Sequence, residues 1–157
     1  MFNCKPVVAF LLAFLLPLSF VGCAGPAVAP ETAFLTRLND NVNRLANNCP
    51  RDYCLNHWPD ESELKLLDYW DCKAYAVAKA GRLMRDYGYS PERLEYVLVA
   101  GDPLRVTHAA LLVDGRWVLD QGVRCDVCGL DSFTDGVKIV GRLRVTDLKW
   151  VTQVLKK

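Results

Sequence analysis

Apolar side chains recur at Phe34, Leu35, Leu38, Val42 and Leu45, a helical spacing that predicts an amphipathic helix over 31–47. A polar, turn-rich stretch over 48–60 follows and carries Cys49, Cys54, His57 and Trp58. A short helix is expected over 61–69. Asp71 then has the chemistry of an N-cap for a longer helix from Cys72 to about Tyr87, which Gly88 would end. Cys72, Tyr75, Ala76, Lys79, Ala80, Leu83 and Met84 share the inner face of that helix. Small residues at 74, 76, 78 and 80 would let a sheet approach it closely.

The period then changes. Segments 94–100, 105–113, 116–121 and 138–145 are rich in Val, Leu and Ile and are separated by turn residues, so they read as antiparallel strands. A last edge strand is expected at 150–155. Helices first and strands afterwards predict an α+β fold, with the central helix packed across an antiparallel sheet.

The N-terminus does not belong to this pattern. Lys5 is followed by an uncharged run from Pro6 to Val21, too short to span a bilayer comfortably and of the kind that directs export. Phe20-Val21-Gly22-Cys23-Ala24 resembles a bacterial lipobox, in which the Cys is lipidated and becomes residue one. Residues 1–22 are therefore expected to be a lipoprotein-type signal peptide, 23–30 a flexible tether, and 31–157 a single domain. Lipidation at Cys23 implies a membrane anchor. Ala24 after it implies the periplasmic face of the outer membrane in a Gram-negative cell. The formal charge of the whole chain is +1. Without Lys5 the remainder is neutral, with acids and bases interspersed, which argues against nucleic acid as a partner.

A thiol is a strong nucleophile only as thiolate, and a helix N-terminus and an imidazolium both favour the anion. Cys72 stands in the first turn of the predicted central helix, His108 in a strand, and Asp120 in the next strand. Nucleophile, base and orienting carboxylate thus come in the order of a Cys-His-Asp triad. The Cys72 backbone N–H is a natural oxyanion donor, and Asn56 or Trp70 are candidates to complete the hole. His57 is assigned no chemical role.

The same residues carry a resemblance. Asp71-Cys72, the Ala-rich helix behind it, Leu94-Glu95-Tyr96-Val97, Thr107-His108-Ala109-Ala110-Leu111 and Trp117-Val118-Leu119-Asp120 resemble the bacterial transglutaminase-like cysteine peptidases. Leu38-Asn39-Asp40-Asn41-Val42-Asn43 resembles the helix preceding their catalytic domain. The resemblance implies a papain/transglutaminase-like fold and a periplasmic peptidase acting on a protein or peptide, such as a surface adhesin. Members usually have acidic residues directly after the nucleophile, and some bind calcium there. Here Lys73 and Ala74 stand in those places, so neither a metal nor any other cofactor is expected. Two other readings stay open. One is a cell-wall peptidase of the NlpC/P60 type acting on peptidoglycan peptides, although that family usually has Ser and Gly after its Cys and a second downstream His. The other is a non-catalytic binding lipoprotein of the same fold.

Cys49 and Cys54, and Cys125 and Cys128, are expected to close as two disulfides in an oxidising compartment, most simply as local pairs stapling the loops at 48–60 and 122–137. A four-cysteine zinc site is the alternative. One geometric condition weighs on the triad. A two-residue turn at Asp114-Gly115 would pair 113 with 116 and put His108 and Asp120 on opposite faces. A three-residue loop with Gly115 left-handed in a bulge would pair 112 with 116, and so 108 with 120. That register is expected to turn His108, Ala110, Val118 and Asp120 towards Cys72. Ala109, Leu111, Trp117 and Leu119 would then face away, under the N-terminal helix.

Overall fold

The computed structural model describes residues 30–50, 54, 57–100 and 107–148. The leader, Cys23, most of the tether, Asn56 and the strand expected at 150–155 lie outside them. The element order is α1 (Pro30–Asn43), β1 (Asn47–Asn48), α2 (Glu61–Leu64), β2 (Tyr69–Trp70), α3 (Cys72–Tyr87), β3 (Leu94–Ala100), β4 (Thr107–Val113), β5 (Trp117–Leu119), β6 (Val127–Gly129), α4 (Leu130–Thr134) and β7 (Lys138–Arg144). This is the expected α+β architecture. The main sheet runs β6-β5-β4-β3-β7, every pair antiparallel, and β1 and β2 form a small parallel pair beside it.

The central helix begins and ends where its punctuation dictates. The Asp71 carboxylate accepts from the Ala74 N–H at 3.0 Å, an N-cap contributing about 1 kcal/mol. Gly88 closes the helix with φ +67°, a conformation that costs glycine nothing. Ala74, Ala76, Ala78 and Ala80 are all buried, as a close helix–sheet approach requires. Gly81 serves another approach: a Cβ there would collide with the carboxylate of Glu61, which crosses from α2 to pair with Arg85 at 2.6 Å.

Two corrections concern the sheet. Trp117 pairs with Val113 and Val118 with Leu112, so neither expected register forms. Asp114 (φ 54°) and Gly115 (φ 64°) are both left-handed, and the Arg116 N–H donates to the Val113 carbonyl at 3.0 Å, as in a two-residue turn. Arg116 is then an extra residue before pairing resumes. Distant contacts fix this geometry. Arg93 holds the Asp114 carboxylate through Nε at 2.6 Å and Nη2 at 2.7 Å, and the Leu130 N–H takes the Arg116 carbonyl at 2.9 Å. Continued by one pair, the register sets Asp120 opposite Ala110. His108 is then its diagonal neighbour on the same face, within reach of a long side chain.

The second correction reverses the faces. Leu94, Tyr96, Leu111, Val113 and Leu119 pack with α1 and α3 in the larger core. Val97, Val99, Ala110, Leu112 and Val118 form a smaller core on the other side, roofed by Phe133 of α4. Each such Leu or Phe, fully buried, contributes about 1.5–3 kcal/mol. The N-terminal helix covers the expected face, but α3 covers it too.

Candidate active site

Because α3 lies on one face and His108 leans towards Phe133 on the other (ring centroids 6.2 Å apart), the site cannot form across a flat sheet. It forms at the strand ends. His108 is the second residue of β4, Asp120 directly follows β5, and Cys72 is the first residue of α3. The His108 Nε2 is 2.6 Å from Asp120 Oδ1, with both side chains largely out of solvent. That leaves Nδ1 as the ring nitrogen available to the thiol. Cys72 feels the His108 ring and the Ala109 backbone amide, and it is the free cysteine among the described residues.

The electrostatics follow from these contacts. Burial opposes charge on the Cys72 thiol, but the His108 ring and the Ala109 amide outweigh it and lower its pKa. Burial likewise opposes an imidazolium, yet Asp120 and Cys72 together raise the His108 pKa to about 9. For Asp120, burial favours the neutral acid. The His108 ring and the amides of the following loop overcome it and hold the carboxyl below its usual range. All three shifts favour a thiolate–imidazolium–carboxylate chain over the neutral forms.

Asp120 is satisfied on every side. Besides His108, its carboxylate accepts the Arg124 N–H on Oδ2 at 2.8 Å, and its carbonyl accepts Lys79 Nζ at 2.8 Å and Asn43 Nδ2 at 3.1 Å. None of these three partners was assigned a role from sequence. Lys79 had a signal as the one charged residue on the inner face of α3, and Asn43 as the last residue of the segment that resembles the family's preceding helix.

The oxyanion candidates divide. The Cys72 N–H, at the first helical position, has no intrahelical acceptor. The Trp70 indole is spent on the Leu64 carbonyl at 3.2 Å. His57 pairs with Glu63 at 2.8 Å. The other cysteines among the described residues close locally, Cys49 with Cys54 and Cys125 with Cys128, at Cα separations of 5.4 and 6.2 Å. The second disulfide starts at the residue directly after Arg124.

A helix presenting its N-terminus to the ends of an antiparallel sheet in this order is the transglutaminase-like fold. Solved structures of LapG from Legionella pneumophila share it. The calcium-bound form aligns with a TM-score of 0.61 at 16% identity, over 81% of this chain and 80% of that one. The EGTA-treated form gives the same score and identity over 81% and 78%. No protein-family model matches the sequence, and no curated protein matches it either.

One LapG structure is calcium-bound, and in this chain a calcium site would fall at the first turn of α3. The residues there do not fit one. Asp71 gives Oδ1 to the Ala74 N–H and Oδ2 to Lys73 Nζ at 2.5 Å, so its oxygens are taken and a fixed ammonium stands beside them. Among the described residues no group of three or more His, Cys, Asp or Glu gathers as a metal site.

Proposed function

We propose that this chain is an exported cysteine peptidase that cleaves a protein substrate through a thioacyl-enzyme. Cys72 is the nucleophile, His108 the proton carrier and Asp120 the group that orients it. The observation that carries the reading is the His108–Asp120 hydrogen bond, which leaves the second ring nitrogen to a thiol at a helix N-terminus. The LapG neighbours, periplasmic cysteine proteases of this fold, support it.

In the mechanism, the Cys72 thiolate adds to the scissile carbonyl carbon, and the Cys72 N–H donates to the developing oxyanion. As the C–N bond breaks, the imidazolium gives its proton to the departing amine. His108, now neutral, takes a proton from water as it attacks the thioester. The acid product leaves and the thiolate–imidazolium pair returns. Asp120 keeps the ring in one orientation throughout.

Purified protein lacking the leader is expected to digest casein and to leave peptidoglycan intact. Turnover should be the same in EGTA as in calcium, because Lys73 already neutralises Asp71. Peptidoglycan digestion without casein digestion would overturn the substrate class, and loss of activity in EGTA would overturn the calcium reading. Anchoring is a separate proposal, motivated by Gly22-Cys23: the mature protein partitions with membranes through acylated Cys23. Cys23→Ser should leave the protein uncleaved or release it in soluble form, and unchanged membrane association and mass in the variant would refute it.

A further inference from the structure

The buried face of α3 is built from Ala, Gly, Val, Leu, Met and Tyr, with one charged exception. Lys79 is 1% exposed, and its Nζ donates to the carbonyls of Asp120 at 2.8 Å and Leu119 at 3.5 Å. A buried cation is costly, and packing alone would be served by Met or Leu. The lysine therefore calls for a polar reason at this position.

The helix geometry supplies one. Lys79 lies two turns on from Cys72, so both look out from the same side of a rigid helix. Cys72 meets the His108 ring, and Lys79 meets the main chain of Asp120, the ring's other partner. Asp120 sits just past the last paired residue of β5, at the end of the strand. Its carbonyl is fixed by Lys79 and, from α1, by Asn43 Nδ2 at 3.1 Å. Its own N–H donates to the Asp126 carbonyl at 2.9 Å.

We infer that Lys79 is a positioning residue, which with Asn43 pins the Asp120 backbone so that the carboxylate meets the His108 ring at catalytic distance. This rests on the peptidase reading above and adds to it a clamp: one helix carries the nucleophile and also sets the far end of the triad. Burial lowers the Lys79 pKa to about 7, against the charges of Asp120 and Asp126. The clamp does not depend on that titration, because a neutral amine still donates N–H to a carbonyl.

The test uses Lys79→Met, similar in length without the donor, Asn43→Ala, and Leu94→Ala as a core control. Two quantities are read in the full mature protein alongside thermal stability. One is kcat and KM on a casein-derived peptide. The other is the downfield proton NMR signal of the His108 ring N–H bonded to Asp120. Lys79→Met should lower kcat by ~10–100-fold with KM nearly unchanged, the scale expected of slight misplacement, and should weaken or abolish the signal. Asn43→Ala should move both the same way by less. Leu94→Ala, though destabilised, should retain both. A folded Lys79→Met whose signal and kcat match the Leu94→Ala control overturns the clamp. If Lys79→Met does not fold, Asn43→Ala decides, and an unmoved signal there overturns it equally. A wild type that cleaves nothing but shows a signal sensitive to Lys79 refutes the peptidase reading while sustaining the clamp.

Discussion

Cys72→Ala is expected to remove peptide cleavage, lowering kcat by at least ~10⁴-fold, while the protein stays folded. The size follows from the chemistry: without a nucleophile no thioacyl-enzyme forms, and the other triad members cannot substitute because they act on its proton. The fold should tolerate the change because Cys72 is only half-buried and lies at the first position of α3, where alanine is a good helix former. The His108 pKa should drop from about 9, because Cys72 is one of the partners that raise it. Casein turnover and thermal unfolding measured together check this. A folded variant retaining a tenth of wild-type turnover would show that another residue carries the reaction.

Asp120→Asn is expected to lower kcat by ~10²–10⁴-fold, the range for disabling a proton-transferring His. Asp120 uses both oxygens, Oδ1 towards His108 and Oδ2 towards the Arg124 N–H. Asparagine has only one oxygen. Its NH2 must face either the Arg124 N–H, donor against donor, or the ring nitrogen, forcing the wrong tautomer. The unpaired group should also cost about 1–3 kcal/mol of stability. The pH dependence carries a sign. The raised His108 pKa contributes stability that is fully present below about 6.5 and is lost as pH rises through about 9. The lowered Asp120 pKa contributes stability that is present above about 3.8 and is lost as pH falls through its folded value. Asp120→Asn should flatten both limbs of the stability profile and shift the alkaline loss of activity to lower pH. A variant with wild-type turnover and an unmoved alkaline limb would remove Asp120 from the mechanism.

The elements that were legible in the sequence carry their own punctuation. Asp71 and Gly88 bound α3 through local hydrogen bonds and backbone conformation, and 94–100 reads as a strand because its β-branched and aromatic residues say so locally. The spacing overextends helix α1, since Leu45 continues the period but is 52% exposed, past the helix end at Asn43. β6 and α4 were absorbed into the 122–137 loop, because three and five residues are too few for a period to show. The register was out of reach for a different reason. Arg116 becomes an extra residue through contacts of Arg93 with Asp114 and of Leu130 with Arg116, partners that chain order does not reveal. For the site, Cys72, His108 and Asp120 could be named from residue type and element order. The contact of Arg124 could not, since it is made by a main-chain amide that any residue could supply, and that of Asn43 could not, since its partner is a main-chain carbonyl 77 residues away.

The measurement closest to the central claim is the alkylation of Cys72 by iodoacetamide as a function of pH, quantified at that residue by mass spectrometry. The thiolate–imidazolium account expects rapid alkylation already below the range of an ordinary thiol, and a second inflection near 9 as His108 loses its proton. A Cys72 that stays unreactive until about pH 8 and then titrates once, like a free cysteine, would contradict it.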